Sequence, residues 1–295
     1  MKLTVYSMTI LVVVVLTASQ SFANSDPYFE QYADVHEALR FPDFLRRDGS
    51  VFNFANFRTG RVVGGKYAPD WSTVRVDVQK VAKVTFMVCN WKIAGVYKAG
   101  HAQMIFDFID GGCVSEKGQH EGLVASFEAY RGKGIGYSAL AGVFDKYRSI
   151  WIINSKDDAL NKAEVVNTSV EMYELQLTDE QMSTLLKALI LASFEREKLE
   201  KTAYHTLRNS CITNQFEYLR SVIDWPAGKP FPITSIPRKA GRTMKNTGLV
   251  NRDYELQCPQ ELRRWRQDGT IPEQTEESSV YDDMSSPGYT DLHGL

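Results

Sequence analysis

The sequence lacks an excess of charge of either sign and, beyond its first residues, lacks a long hydrophobic run. Its 295 residues include 34 Lys and Arg against 36 Asp and Glu, which gives a formal net charge of -2. Nucleic-acid-binding proteins usually carry a basic excess, so we expect neither DNA nor RNA as a partner. No later stretch approaches the roughly 18 consecutive apolar residues that indicate a membrane-spanning helix. We therefore expect the mature protein to be soluble.

Cysteine is scarce, with Cys89, Cys113, Cys211 and Cys258 as the four in the chain. An even count allows two disulfides, but four cysteines in so long a chain do not make a disulfide-dense scaffold. No two of them lie within five residues of each other, and the sequence has no C-x-x-C or H-x-x-x-H pair. This spacing argues against a metal site, and we predict no cofactor.

The amino terminus has the pattern of a secretory signal peptide. Lys2 supplies a positive charge, and residues 8–16 (MTILVVVVL) form a short apolar stretch. Ser21 and Ala23 are small residues at the two positions that signal peptidase reads. Because the apolar stretch is well short of the roughly 20 residues that span a bilayer, cleavage is favoured over retention as an anchor. We predict a signal peptide over residues 1–23 and a periplasmic mature protein.

Hydrophobic periodicity predicts an α+β fold with an antiparallel sheet. Residues 24–60 predict a short helix around 35–39 followed by an extended segment. Apolar and β-branched residues then alternate in six segments, which we interpret as strands. These segments are 74–78, 83–91, 102–109, 122–130, 149–154 and 169–177.

Two helices are predicted after these strands. Thr178 and Gln181 form a capping-box pattern at the start of a helix over 179–200. A second helix begins after Asn209 and Ser210, which are both good N-cap residues, and stops before Pro226.

The last part of the chain is predicted to be largely polar. We predict a loop over 226–242 and a short basic helix over 262–266. Residues 271–295 carry six acidic residues and no Lys or Arg, which predicts a disordered tail. The predicted domains are therefore a catalytic domain over 24–250 and a polar region over 251–295.

Cys211 is the candidate nucleophile because it falls in the first turn of the second helix. Unpaired backbone N–H groups and the helix dipole favour an anion there and lower the pKa of a thiol. The alternative is a small buried cysteine that packs the start of the helix. A nucleophilic thiol also needs a base, for which His101 at the start of a strand ranks first and His205 second.

A carboxylate that orients His101 can be predicted from strand register. If 102–109 and 122–130 form a hairpin centred near residue 115, His101 faces Glu128 or the next residue. Ser126 shares the face of Glu128, because side chains in a strand alternate with period two. Asp107 is the competing acid, and the alternative for Glu128 is a solvated strand residue.

Five segments together resemble the periplasmic catalytic domain of the Lnb-type bacterial lipoprotein N-acyltransferases. They are 56–58 (NFR), 100–108 (GHAQMIFDF), 126–131 (SFEAYR), 142–144 (GVF) and 204–214 (YHTLRNSCITN). Their order is consistent over roughly residues 50–250. The resemblance implies a permuted papain-like fold related to NlpC-type peptidases, in which the His strand precedes the Cys helix.

The resemblance also implies a function. Cys211 would take an acyl chain from a phospholipid or a diacylglyceryl lipoprotein at the membrane surface and pass it, through a thioester, to the amino terminus of a lipoprotein. His101 would move the proton, Glu128 would orient His101, and Ser126, Asn209 and Arg58 would support them. The rival functions are peptidoglycan amide hydrolysis by the same residues and a catalytically altered binding protein.

Two features differ from the family pattern. The family has Asn directly before the Cys, whereas Ser210 intervenes here between Asn209 and Cys211. Its Ser-x-Glu-x-Arg pattern has Tyr130 at the Arg position, with Arg131 one residue later. The chain also continues into a polar region instead of a membrane-spanning portion, so we expect a stand-alone periplasmic relative.

Overall fold

All six predicted strands form, with boundaries that shift by a few residues. The computed structural model describes residues 38–93, 97–132, 135, 137–165, 169–223, 225, 237–246, 248–256, 259–269 and 271. The predicted signal peptide and nearly all of the predicted tail lie outside the described residues. Of the short helix predicted at 35–39, only Ala38 and Leu39 are described, and they are not helical.

The strands and helices follow one another along the whole described chain. The strands are β1 Asp43–Asp48, β2 Val51–Arg58, β3 Arg61–Val63, β4 Lys66–Ala68, β5 Trp71–Asp77, β6 Val81–Ile93, β7 Tyr97–Phe108, β8 Cys113–Ser115, β9 Gly118–Gln119, β10 Gly122–Tyr130, β11 Tyr147–Ser155, β12 Ser169–Leu175, β13 Ala203–Tyr204 and β14 Val250–Leu256. The helices are α1 Ala139–Val143, α2 Lys156–Val165, α3 Asp179–Ser193, α4 Arg196–Lys201, α5 Cys211–Val222, α6 Pro237–Asn246 and α7 Pro259–Asp268.

One large sheet dominates the structure, so the fold is α+β. In the described residues it has 12 strands, in the order β14-β12-β6-β7-β10-β11-β2-β5-β8-β9, with β1 on β2 and β13 on β11. The expectation of a purely antiparallel sheet is wrong, because β11 and β2 run parallel where Asn154 lies opposite Arg58. The sequence had indicated β2 only as an extended segment, so this parallel neighbour could not be predicted.

The two faces of the sheet are covered by different helices. Along the central strand β10, Ala125 and Phe127 join a core that includes residues of α3 and α5. Val124 points to the opposite face, where it joins a smaller cluster with residues of α2 and α7. Successive residues of one strand therefore face different helical layers, as the period of two requires.

The helix predicted over 179–200 is two helices. Its start is confirmed, since Thr178 and Gln181 form the capping box. The helix ends at Ser193 because the backbone of Glu195 leaves the helical region, with ψ at 51°. At this break the Phe194 ring packs edge-on against a core phenylalanine of β2 at 5.7 Å.

The predicted loop over 226–242 is wrong for its described part. Residues 226–236 lie outside the described residues, but helix α6 begins at Pro237. Ala240 and Met244 are fully buried one turn apart, so apolar packing stabilises a helix that its polar composition conceals.

The sheet continues past the domain boundary predicted at residue 250. Strand β14 pairs antiparallel with β12, and helix α7 is longer than the segment predicted over 262–266. Arg263 and Arg266 of α7 pair with Glu164 at 2.6 Å and Asp157 at 3.0 Å on α2. No helix in the described ranges has the length and apolar character to cross a membrane.

Candidate active site

The sheet opens between β7 and β10. These strands pair from Gly122 opposite Asp107 to Ala125 opposite Met104, which matches the predicted register within one residue. Beyond these pairs, β7 continues beside β6 and β10 continues beside β11. The β7–β10 gap, between residues 101–103 and 126–128, is therefore free to receive groups from elsewhere in the chain.

His101, Ser126 and Glu128 meet across the β7–β10 gap. The Nε2 atom of His101 lies 2.8 Å from the Ser126 hydroxyl and 3.1 Å from Oε1 of Glu128. The Ser126 hydroxyl donates to the same carboxylate at 2.9 Å. Since both contacts use Nε2 as donor, they select one tautomer of the neutral imidazole and leave Nδ1 for a second partner.

Cys211 is the first residue of α5, directly after its N-cap. The Ser210 side chain accepts from the backbone N–H of Thr213, whose side chain in turn accepts from the Ser210 N–H. The serine that departs from the family pattern thus completes a capping box. As a result Cys211 lies in the first turn, where free N–H groups favour a negative charge.

Three groups surround the Cys211 sulfur. The His101 imidazole, the backbone N–H of Ala102 and the Tyr204 hydroxyl are close enough to the thiol to lower its pKa. The Tyr204 hydroxyl also accepts from the backbone N–H of Cys211 at 3.4 Å. Only 4% of Cys211 is exposed, so these contacts replace most of the water around the sulfur.

The charges of this cluster stabilise each other. Burial acts to raise the pKa of Cys211, but His101 and the hydrogen bonds to the sulfur lower it from its ordinary value. Burial also opposes a charge on His101, yet Glu128 and Cys211 raise the pKa of the imidazole to about 10. Against its own burial, Glu128 has a pKa held well below the usual range, first of all by His101. Each charge of the cluster therefore favours ionisation of its neighbour.

The competing candidates lie elsewhere. His205 is buried in the loop before α5, where its Nδ1 accepts from the backbone N–H of Leu207 at 3.0 Å. The carboxylate of Asp107 forms ion pairs with Lys156 at 2.8 Å and with Lys83 at 3.2 Å, so its role is to stabilise the surface of the sheet.

Asn209 supports the loop before the helix. Its side-chain amide donates to the carbonyl of Ala203 at 2.6 Å and its carbonyl accepts from Asn214 at 2.7 Å. These bonds tie β13 to the first turn of α5. They position the segment that carries Tyr204 and Cys211.

Arg58 supports the site from a buried network. Its Nε donates to Asp158 at 2.9 Å, and both side chains are almost fully buried. Asp158 also accepts from Asn154 at 2.8 Å and from the Tyr67 hydroxyl at 2.5 Å. The charge of Arg58 contributes to the low pKa of Glu128, but the contacts of Arg58 serve the scaffold.

Removing Arg58 is expected to destabilise the fold. Arg58→Met leaves the Asp158 carboxylate buried without its ionic partner, which costs about 3–5 kcal/mol of unfolding free energy. Urea unfolding measures this difference. Arg263→Met is the control, because its pair with Glu164 is more exposed and is worth less than about 1 kcal/mol. Equal effects of the two variants would contradict the supporting role of Arg58.

The three described cysteines Cys89, Cys113 and Cys211 are free thiols, and Cys258 lies outside the described residues. Two further thiols besides Cys211 are therefore free. Burial raises the pKa of both Cys89 and Cys113 to about 12. Neither is suited to act as a nucleophile near neutral pH.

Tyr204 is a site residue that the sequence did not single out. Its ring stacks on Phe127 at 5.8 Å and meets Tyr137 edge-on at 6.0 Å, which fixes the hydroxyl at Cys211. The signal in the sequence was its place in the resembling segment 204–214. A tyrosine seven residues before the cysteine gives no local pattern that predicts this contact.

A comparison with family models supports the resemblance found in the sequence. The model described as the Lnb N-terminal periplasmic domain matches residues 67–236, which is more than half of the chain. The matched range contains His101, Ser126, Glu128 and Cys211, whereas Arg58 precedes it. Searches of curated proteins and of solved structures gave no match. The chain belongs to the family of the Lnb N-terminal periplasmic domain.

Proposed function

We propose that this protein is a periplasmic cysteine acyltransferase that acylates the amino terminus of bacterial lipoproteins. The observation that carries the proposal is the hydrogen-bonded cluster of Cys211, His101 and Glu128 at the start of a helix. A thiol with a lowered pKa, a base in contact with it and a carboxylate on the base are the parts that thiol-based acyl transfer needs. The order of His strand before Cys helix supports a permuted papain-like arrangement.

The first step forms a thioester. The Cys211 thiolate attacks the carbonyl carbon of a phospholipid or diacylglyceryl ester, and a C–S bond replaces the C–O bond. His101 gives its proton to the departing alcohol oxygen, while Glu128 keeps the imidazole oriented. The lipoprotein amine then attacks the thioester and gives its proton to His101. An amide forms and the Cys211 thiolate is restored.

Developing charge on the carbonyl oxygen needs donors beside the sulfur. The backbone N–H of Cys211 and the hydroxyl of Tyr204 lie against each other at 3.4 Å. When a carbonyl oxygen displaces this weak contact, both groups can donate to it. Burial is the main cause that raises the pKa of Tyr204 well above its usual value, so the hydroxyl keeps its proton.

Tyr204→Phe tests this role. Loss of one oxyanion donor is expected to lower kcat on the order of 10²-fold with little change in KM, because the donor acts mainly in the transition state. Steady-state kinetics of acyl transfer give both constants. Tyr218→Phe is the matched control, since the half-buried ring of Tyr218 packs edge-on against Trp151, with the ring centroids 5.7 Å apart. An unchanged kcat in Tyr204→Phe would remove Tyr204 from the mechanism.

Exposed apolar side chains around α1 and in the loop before α5 favour a lipid substrate over a cell-wall peptide. Phe144 is 50% exposed, Leu207 46% and Tyr137 39%. The hydroxyls of Tyr137 and Thr206 lie 3.1 Å apart, and Thr206 donates to the carbonyl of Ala139 in α1 at 2.8 Å. These bonds join α1 to the loop that leads into α5. The three exposed side chains therefore belong to α1, its flanks and the loop before α5, and we propose that acyl chains pack there.

The test is a two-substrate assay. Purified mature protein is incubated with phospholipid vesicles and a synthetic diacylated lipopeptide that has a free amino terminus. The molecular mass of the lipopeptide is then measured. Gain of one acyl chain, absent with Cys211→Ala, supports the proposal. Cleavage of cell-wall peptides instead would identify an amide hydrolase. A folded protein without turnover on either substrate would identify a binding protein.

Cleavage of the signal peptide belongs to the same proposal. The family is a periplasmic domain, which agrees with export through residues 1–23. The amino terminus of the protein recovered from the periplasm tests the predicted cleavage after Ala23.

A further inference from the structure

Gln215 is a fully buried polar residue one helical turn after Cys211. Its exposed fraction is 0%, and its Nε2 donates to the backbone carbonyl of Ala102 at 2.7 Å. The bond joins α5 to β7 inside the β7–β10 gap. It is therefore a direct connection between the helix that carries the cysteine and the strand that carries His101.

Ala102 lies where β7 still pairs with β6 but no longer with β10. The register of the β7–β10 pairing would place it opposite Phe127, but the pairing stops at Met104 and Ala125. Its carbonyl accepts from Gln215, and because the N–H and C=O of one strand residue point to the same edge, its N–H also faces the gap, where it lowers the pKa of Cys211. The backbone N–H and C=O groups of Ala102 thus face residues of α5 in the place that β10 would otherwise occupy.

Stability alone does not explain a glutamine at this position. Its Oε1 atom is buried without a hydrogen-bond partner among the described residues. The amide cannot turn over to relieve this, because two carbonyl oxygens would then face each other at Ala102. An apolar side chain of similar length would avoid the unpaired oxygen but would also lose the bond to Ala102.

We propose that Gln215 is a positioning residue that holds the backbone of Ala102 in the orientation in which its N–H faces the Cys211 sulfur. The mechanistic meaning of this role rests on the proposed function, in which the sulfur is the nucleophile. The property that Gln215 is expected to change is the pKa of the Cys211 thiol, which can be measured without any substrate.

Gln215→Met tests the proposal, since it keeps the length of the side chain and removes the donor. The ultraviolet absorbance of the thiolate, followed against pH and corrected with Cys211→Ala, reports the titration of Cys211. We expect the pKa of Cys211 to rise by about half a unit to one unit, with a 3- to 10-fold fall in kcat and little change in KM. Gln103→Met is the matched control, because Gln103 is buried on the same strand.

Gln215→Glu gives a second, independent readout. A protonated carboxyl group can donate to the Ala102 carbonyl, and an ionised one cannot. At pH values low enough to protonate this carboxyl group, the thiolate absorbance of Gln215→Glu should therefore approach that of the wild type. A Cys211 titration unchanged in folded Gln215→Met, or shifted equally in Gln103→Met, would overturn the proposal. Wild-type protein that transfers no acyl chain would overturn the proposed function, while a shifted titration would still support the role of Gln215.

Discussion

Cys211→Ser is expected to retain the fold and to lose acyl transfer on the order of 10⁴-fold or more. Serine has nearly the volume of cysteine and the site is buried, so packing changes little. The serine hydroxyl cannot ionise near neutral pH, and the thiolate is the species that attacks. The three groups that lower the pKa of the thiol are too weak to ionise an alcohol. The lipopeptide assay, with circular dichroism to check the fold, measures the outcome.

Cys113→Ser is the matched control for this prediction. Cys113 is also a buried free thiol, but it lies on β8 and burial raises its pKa to about 12. The variant should keep turnover within a few-fold of the wild type. If Cys211→Ser and Cys113→Ser retained similar activity, Cys211 would not be the nucleophile.

His101→Ala is expected to be the second most damaging substitution, with a loss of about 10³–10⁴-fold in kcat. The imidazole both lowers the pKa of the thiol and gives the proton to the leaving alcohol. Cys211→Ser combined with His101→Ala should be no worse than Cys211→Ser alone, because the two residues act as one unit. His120→Gln is the control, since His120 bonds to Ser115 at 2.7 Å on another part of the sheet.

The His101 substitution also predicts a change in pH dependence with a defined sign. In the wild type, burial acts most strongly on the pKa of Cys211 and raises it, but the His101 charge and the neighbouring donors together lower it below its ordinary value. Without that charge, only the weaker effects of Ala102 and Tyr204 oppose burial, so the pKa of the thiol rises and thiolate absorbance should appear only at higher pH. A Cys211 titration that is the same with and without His101 would contradict the ion pair.

The sequence predicts most of the geometry of the candidate site because its signals are local. The Cys211 helix start follows from N-cap residues, and the Glu128 assignment follows from the antiparallel register expected of two strands that are near in sequence. Both signals depend on short-range rules of helix capping and strand pairing. His101, Glu128 and Ser126 could therefore be brought together before the fold was seen.

The contacts that the sequence missed depend on tertiary packing. Tyr204 and Gln215 reach Cys211 and Ala102 only because the β7–β10 gap admits the start of α5. No periodicity or motif indicates that two paired strands will separate. Helix α6 and strand β14 were missed for a related reason. Most of their residues are polar, and a few buried residues stabilise them.

The central claim is that Cys211 carries the acyl chain. The most direct measurement is the intact mass of the mature protein after incubation with phospholipid vesicles and no amine acceptor. The account predicts a mass gain of one acyl chain on the peptide that contains Cys211, which is released by hydroxylamine and is absent from Cys211→Ala. An unmodified wild-type protein, or an adduct that persists in Cys211→Ala, would contradict it.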